Sequence, residues 1–189
     1  LIWCEKTLEG AIVDPSVEPS IIFTYINNNN IQLSKILITH THYDHISYLS
    51  DFINQYLGVI IYGYINTREF LGDNFRGVNH KDSVSIGDNV FTILYTPGHY
   101  DDCLCYWEEI NGILFTGDTI FVGRSGRTIN KYSNISKLYN SIYEIIFKLP
   151  KDTIIYPGHD YGDKETISIS DNIKISSFFS CYTEKEFID

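Results

Sequence analysis

Three histidines and an aspartate crowd into the stretch Ile38-Thr39-His40-Thr41-His42-Tyr43-Asp44-His45-Ile46. Imidazole nitrogens and carboxylate oxygens are donors that zinc, iron and manganese accept, so the cluster reads as part of a metal site. A lone histidine is more often a surface or hydrogen-bonded residue than a ligand. On an extended backbone His40 and His42 would also point to opposite faces. A tight loop would fold both inward, with Asp44 and His45 continuing round the turn.

The other donors fall at comparable places. His99 stands in LYTPGHYDDC, Asp118 in LFTGDTIF and His159 in IIYPGHDYG, each just past a strand-like segment and beside Gly or Pro. Of the histidines only His80 lies elsewhere. Loops at strand ends along one sheet edge are where scaffolds place sites. Together the groups exceed what one tetrahedral ion needs. They suit two neighbouring metals bridged by a carboxylate, or one metal lined by further polar groups.

These residues need elements to position them. Gly10–Val13, Ile36–Thr39 and Gly58–Tyr62 read as buried strands. Between them, Ser16 to Asn27 and Ile46 to Leu57 show helical spacing, with Val17, Ile21, Ile22, Tyr25 and Ile26 on the first and Ser16 as its N-cap. Strand alternating with helix argues for a largely parallel sheet. Residues 63–82 read as irregular. Val90–Tyr95, Cys103–Trp107 and Gly112–Phe115 read as β-hairpins, with Asn111-Gly112 as a turn. Leu138, Ile142, Ile145 and Leu149 line one face of a helix that Pro150 stops, and Thr153–Tyr156 is a last strand. Residues 165–189 read as helical. The layout is two similar halves in one domain, 1–189.

Composition narrows the function classes. The chain has 189 residues, 43% of them hydrophobic, enough for one sizeable core. Its net charge of −10 and the lack of any Lys/Arg-rich run argue against nucleic acid as a partner. No apolar run approaches a membrane span, and no basic head precedes a long apolar segment, so a soluble, cytoplasmic protein is expected. The chain begins at Leu1 and has no Met, which suggests that the native N-terminus, and any organelle-targeting segment on it, is missing. Four cysteines do not make a disulfide framework here. Cys103 and Cys105 share a strand face and read as small packing residues, with Cys103 alone open to a role near the site.

With these residues in place, the sequence resembles the metallo-β-lactamase superfamily. It carries His-x-His-x-Asp-His as His40, His42, Asp44 and His45. His99, Asp118 after Thr116-Gly117 and His159 after Pro157-Gly158 follow in the family's order. The resemblance spans nearly the whole chain and implies an α+β fold, a four-layer αββα sandwich with metals at the sheet edge between its halves. It implies a first metal on His40, His42 and His99, a second on Asp44, His45 and His159, and Asp118 as bridge. Two divalent ions are expected, Zn first, with Fe or Mn as the other candidates. Asp14 in IVDP matches a position that supports a ligand histidine in many members, and equally reads as a turn after a strand.

Two branches look closest. One is the glyoxalase II group, which hydrolyses thioesters such as S-lactoylglutathione and usually carries a further helical domain. The other is the persulfide dioxygenase group, which GRSGRTI at 123–129 and LPKDTIIYPGHDYG at 149–162 resemble. Two stretches depart from the usual pattern: TPGHYDD stands where TPGHTPG is common, and GRTIN where GRTDF is. The former makes the Tyr100-Asp101-Asp102 loop larger and more acidic.

The leading expectation is a metallo-hydrolase of a thioester, hydroxyacylglutathione hydrolase-like, using a metal-activated hydroxide. Asp44 or Asp118 would orient the nucleophile or relay a proton. Arg127 would pair with a substrate carboxylate and Tyr161 would lend it a hydroxyl. The partner is then a small molecule, a glutathione-type thiol derivative, with no membrane involved. The alternative is a mononuclear-iron persulfide dioxygenase, with one Fe on His40, His99 and Asp118. A non-catalytic metal-binding domain is a third reading, whose mark would be missing ligands.

Overall fold

The computed structural model describes residues 1–69, 71–181 and 183–188. The first half builds a five-stranded sheet in the order β1 (Ile2–Trp3), β2 (Glu9–Val13), β3 (Gln32–Leu37), β4 (Ile60–Tyr64) and β5 (Phe75–Val78). β1 runs antiparallel to β2, and every later pair is parallel. Helix α1 (Ser20–Asn28) crosses from β2 to β3. The helices α2 (Tyr43–Ile46) and α3 (Leu49–Gln55) cross from β3 to β4. The alternation of strand and helix therefore gives the parallel sheet that was expected.

The second half builds a six-stranded sheet from β6 (Ser83–Ile86), β7 (Asn89–Tyr95), β8 (Leu104–Glu108), β9 (Ile113–Gly117), β10 (Ile154–Pro157) and β11 (Ile167–Ser168). β6 to β9 form an antiparallel meander, β10 lies parallel to β9, and β11 closes the edge antiparallel. Helix α4 (Ile135–Asn140) continues through a π turn at Ser141–Ile145 and a tight turn at Ile146–Lys148 before Pro150, on the way from β9 to β10. Two further helices, α5 (Ile169–Ile175) and α6 (Glu184–Ile188), follow.

Strand side chains alternate between faces, and that alternation sorts the core into three layers of contact. Ile12, Ile36, Ile38 and Ile61 meet Ile26 of α1 and Phe52 of α3. Their neighbours Ala11 and Leu37 point the other way, against Phe91, Ile93, Leu104 and Tyr106 of the second sheet. The opposite face of that sheet, with Leu94, Cys105, Leu114 and Ile155, receives Leu138, Ile142 and Ile146. Helix, sheet, sheet and helix thus stack as the expected four-layer αββα sandwich.

Some elements differ from the sequence-based expectation. α1 starts after Pro19, and Ser16 instead donates its backbone N–H to Asp14 O. Proline lacks the N–H that a helix start leaves unpaired, so it suits the first turn. Val17, Ile21 and Tyr25 are exposed, and Ile22, Phe23 and Ile26 form the inward face. The helix read at 46–57 is two pieces, because Tyr48 N–H leaves the helical ladder for Pro15 O at 2.9 Å. The strand read at 58–62 lies at Ile60–Tyr64. β5 lies inside the segment read as irregular, an edge strand whose Arg76 and Gly77 are exposed and break the apolar pattern. Phe70, Tyr182 and Asp189, within the segments read at 63–82 and 165–189, lie outside the described residues.

Polar ties join the two sheets. Tyr106 Oη donates to Ile38 O at 2.7 Å, and Leu104 N–H donates to Thr39 O at 2.7 Å. At the other end, Glu9 of β2 accepts from Ser34 Oγ and from Gly87 N–H of the β6–β7 turn, both at 2.6 Å, and pairs with Lys35. Burial alone would raise the Glu9 carboxyl, but Lys35, Ser34 and Gly87 outweigh it and hold it down to about 2. A depressed carboxyl contributes stability that is complete above its ordinary value of 4.5 and fades as pH falls toward about 2. Glu9→Gln is therefore expected to cost about 1.5–3 kcal/mol at neutral pH. Urea melts at pH 7 and pH 3 test this: the gap between wild type and variant should narrow at pH 3.

Candidate metal centre

The histidine-rich stretch is shaped by the end of β3. Past Leu37 the chain continues through buried Ile38 and Thr39, then turns into α2 with His42 in an extended conformation at its N-cap. That turn answers the geometric objection to His40 and His42. Their rings come to one side, with His40 Nε2 3.0 Å from His42 Nδ1. His45, at the end of α2, is 2% exposed.

Asp14 governs this corner. It ends β2 with φ 49°, and its carboxylate accepts Thr39 N–H at 2.7 Å, Thr39 Oγ1 at 2.6 Å and His45 Nδ1 at 2.7 Å. With Nδ1 spent on Asp14, His45 presents Nε2 to the centre. The supporting role that the resemblance suggested for Asp14 matches this geometry.

The second half delivers the rest. His99 follows β7, and its Nδ1 donates to Arg127 O at 2.8 Å. A carbonyl can only accept, so Nδ1 carries a proton, which leaves Nε2 as the ring's ligand atom, 3.0 Å from His42 Nδ1. Gly98, at φ 148°, lets this loop pack against α4, because a Cβ there would meet Leu138 backbone at 2.3 Å. Asp118 follows β9. Its Oδ2 lies 3.6 Å from His99 Nε2, and its Oδ1 lies 3.2 Å from His45 Nε2 and 3.6 Å from His159 Nε2. His159 follows β10, with Nε2 3.2 Å from His45 Nε2 and 3.3 Å from Asp44 Oδ2.

All seven expected ligands therefore converge. Their donor atoms form three groups, each within 4.8 Å: His40, His42 and His99; His40, His45 and Asp118; Asp44, His45 and His159. Burial, then the neighbouring imidazoles, hold His40 well below its ordinary value, and His42 is lowered chiefly by burial. Neutral imidazoles are what a cation requires. Burial also opposes a charge on His45, but the carboxylates of Asp118 and Asp14 outweigh it and push His45 up to about 10. Burial would raise Asp118, yet His45 draws it down. The carboxylates thus demand positive charge in their midst. Asp118 Oδ1 is fully buried and accepts no well-aligned hydrogen bond, although His45 Nε2 is near. A buried carboxylate oxygen without a donor fits a divalent ion, and so does the mixed N/O donor set.

A cavity of about 520 Å³ opens over the cluster. Arg127 and Tyr161 line it with Asp44, Asp118 and His159, so both expected substrate residues face the same space. Phe121, Arg124, Ile129 and Asn130 also line it and were not singled out from the sequence. Phe121 packs edge-on against Tyr161, whose ring stacks on His159. Asn130 Nδ2 lies 3.1 Å from His42 Nε2. The signal for Arg124 and Ile129 was their place in GRSGRTI beside Arg127. Another cavity, of about 550 Å³ and lined by residues 1–6 with Ile86 and Phe115, contains none of the cluster.

The acidic loop after His99 turns its charges away from that cavity. Asp101 accepts Arg68 Nη2 at 2.7 Å and Nε at 3.2 Å, and Asp102 is buried beneath Thr41 and Thr67. Tyr100 leans its ring over His42 at 4.4 Å. Cys103 is 1% exposed and absent from the cavity wall, and burial pushes its thiol well up, so it is a packing residue. His80 stands apart and accepts Tyr95 N–H.

Comparison with known proteins agrees with this geometry. The profile of the Metallo-beta-lactamase superfamily matches residues 2–159. A hydroxyacylglutathione hydrolase of Francisella tularensis is 35% identical over 150 residues, 79% of this chain and 58% of that protein. The chain therefore spans less than two thirds of the length of the curated relatives it matches. The crystal structure of ETHE1 from Myxococcus xanthus superimposes with a TM-score of 0.89 at 31% identity, covering 99% of this chain and 81% of that one. A metallo-beta-lactamase from Staphylococcus aureus superimposes with a TM-score of 0.85 at 28% identity, covering 99% of this chain and 60% of that one.

Gly158 gives a direct test of the centre. A Cβ there would lie 2.6 Å from Asp118 Oδ1 and 2.8 Å from His45 Cε1. Gly158→Ala must displace the carboxylate shared between the clusters. The expected outcome is a folded protein, by circular dichroism, with at least about 10-fold weaker binding of divalent metal in chelator competition.

Proposed function

The chain belongs to the metallo-beta-lactamase superfamily, and on that footing we propose that it is a metal-dependent hydrolase of a thioester whose thiol part is glutathione-like. The observation that carries this reading is the division of the donor set. His40, His42 and His99 form one cluster and Asp44, His45 and His159 another, and the two oxygens of Asp118 face one each. Such a set suits two ions, and paired ions serve hydrolysis. The likeness to the Francisella hydroxyacylglutathione hydrolase supports the substrate class.

Two divalent ions, when bound, would supply Lewis acidity that makes hydroxide available at neutral pH and polarises the thioester carbonyl. The protein's own residues do the remaining work. Asp44, exposed in the cavity wall, is placed to orient the attacking water and to take up its proton. Asp118 turns one oxygen toward each cluster. Arg127 is suited to a substrate carboxylate and Tyr161 to a polar group beside it, while Phe121 keeps one wall apolar. The acidic loop leaves this rim free of its carboxylates, which suits an anionic thiol.

A second reading, a persulfide dioxygenase using one iron on His40, His99 and Asp118, is favoured by the likeness to ETHE1 from Myxococcus xanthus. It leaves His42, Asp44, His45 and His159 as polar lining.

Metal content and substrate assays on protein purified without added metal separate the two. The expected result is about two divalent ions per chain and turnover of S-lactoylglutathione. One iron per chain with oxygen consumed on glutathione persulfide would overturn it. Asp44→Ala is expected to lower kcat by about 100-fold or more, whereas Arg127→Ala should act mainly on KM.

A further inference from the structure

Asp102 carries a buried carboxylate that none of the donor clusters uses. It is 3% exposed, in the loop between β7 and β8. It accepts Thr41 Oγ1 at 2.5 Å, Thr67 Oγ1 at 2.9 Å and, at a longer 3.4 Å, Thr41 N–H. Among the described residues no lysine or arginine pairs with it. Burial raises its carboxyl, and the threonine hydroxyls only partly offset this. A buried acid without a cation is costly, and an apolar side chain would fill the same space without that cost.

The placement of its partners gives the acid a purpose. Thr41 stands between His40 and His42, and Asp102 follows shortly after His99 in the same loop. The Asp102–Thr41 bond therefore joins the two loops that supply His40, His42 and His99. Alongside it runs the backbone bond from Leu104 N–H to Thr39 O. Thr67, from the loop after β4, braces the carboxylate from a third direction.

We propose that Asp102 is a positioning residue for the first metal cluster: through Thr41 it holds His40 and His42 at the distance from His99 at which all three rings meet one ion. This rests on the metal-site assignment made above. Asp102 belongs to none of the three donor groups and does not line the cavity over them. Its effect lies in how tightly the His40, His42 and His99 cluster binds, and it leaves the Asp44, His45 and His159 cluster unchanged.

The test uses the full chain with zinc and cobalt(II) alone. Chelator competition gives the affinity of each zinc, cobalt absorption reports the ligand field, and thermal melts of the metal-free protein report the fold. Asp102→Ala, which removes the acceptor, and Thr41→Val, which removes the donor, are each expected to weaken one zinc by about 10–100-fold, leave the other unchanged and alter the cobalt spectrum. Thr41→Ser keeps the hydroxyl and should retain wild-type affinity. The double variant should lose no more than either single one, since both break the same bond. If Asp102→Ala fails to fold, Thr41→Val and Thr41→Ser carry the comparison. Variants that melt lower but bind both zincs as wild type does would overturn the proposal and leave the metal-site assignment standing. Wild-type protein that takes up no divalent ion would overturn both.

Discussion

The backbone bond from Leu104 N–H to Thr39 O is the joint on which the site depends. It fixes the end of β3 against the start of β8, in a region where the two sheets pack through Leu37, Leu104 and Tyr106. Register matters here, because a slip of one residue turns every strand side chain to the opposite face. With the register fixed, the loop after β3 faces the loops after β7, β9 and β10. Glycines keep these loops close: at Gly117 a Cβ would fall 2.4 Å from Thr39 Oγ1.

Around that joint the buried polar groups are organised in pairs. Asp14 takes Thr39 and turns His45 inward, Arg127 O fixes the proton of His99, and Asp102 takes Thr41. Each partner comes from a different strand-end loop than the group it orients. Burial makes these bonds worth more than they would be in water, and makes an unpaired group expensive. Among the described residues, the one well-buried carboxylate oxygen left without a donor is that of Asp118, at the meeting point of the clusters. The same economy explains the acidic loop. Arg68 and two threonines absorb Asp101 and Asp102, and the cavity wall keeps Arg124 and Arg127 instead.

The residues that converge at the site were legible in the sequence, and the layer order came with the family resemblance that those residues carry. His-x-His-x-Asp-His follows a buried strand, and the single residues His99, Asp118 and His159 stand beside Gly or Pro just past theirs; strand ends are local patterns of apolar runs and turn residues. Strand–helix alternation made the first sheet parallel, and the Leu138 to Leu149 periodicity found the helix that covers the second. Local pattern misled where neighbours outweigh it. The inward face of α1 depends on which side the first sheet lies, and β5 is recognisable only through its pairing with β4.

What only the tertiary structure decided is the fate of groups whose partners lie far along the chain. In the sequence Asp101 and Asp102 only make the loop after His99 more acidic; Arg68, Thr41 and Thr67, which pair with them, lie far along the chain. Asp14 was balanced between a turn and a support until His45 came within 2.7 Å. The pairing of His40 with His42 on one side depends on the turn into α2, and their nearness to His99 on the packing of one sheet against the other. Residue type and spacing are local properties and can be read in order. Distances between loops are set by how two buried surfaces fit together, and that fit is made only when the chain folds.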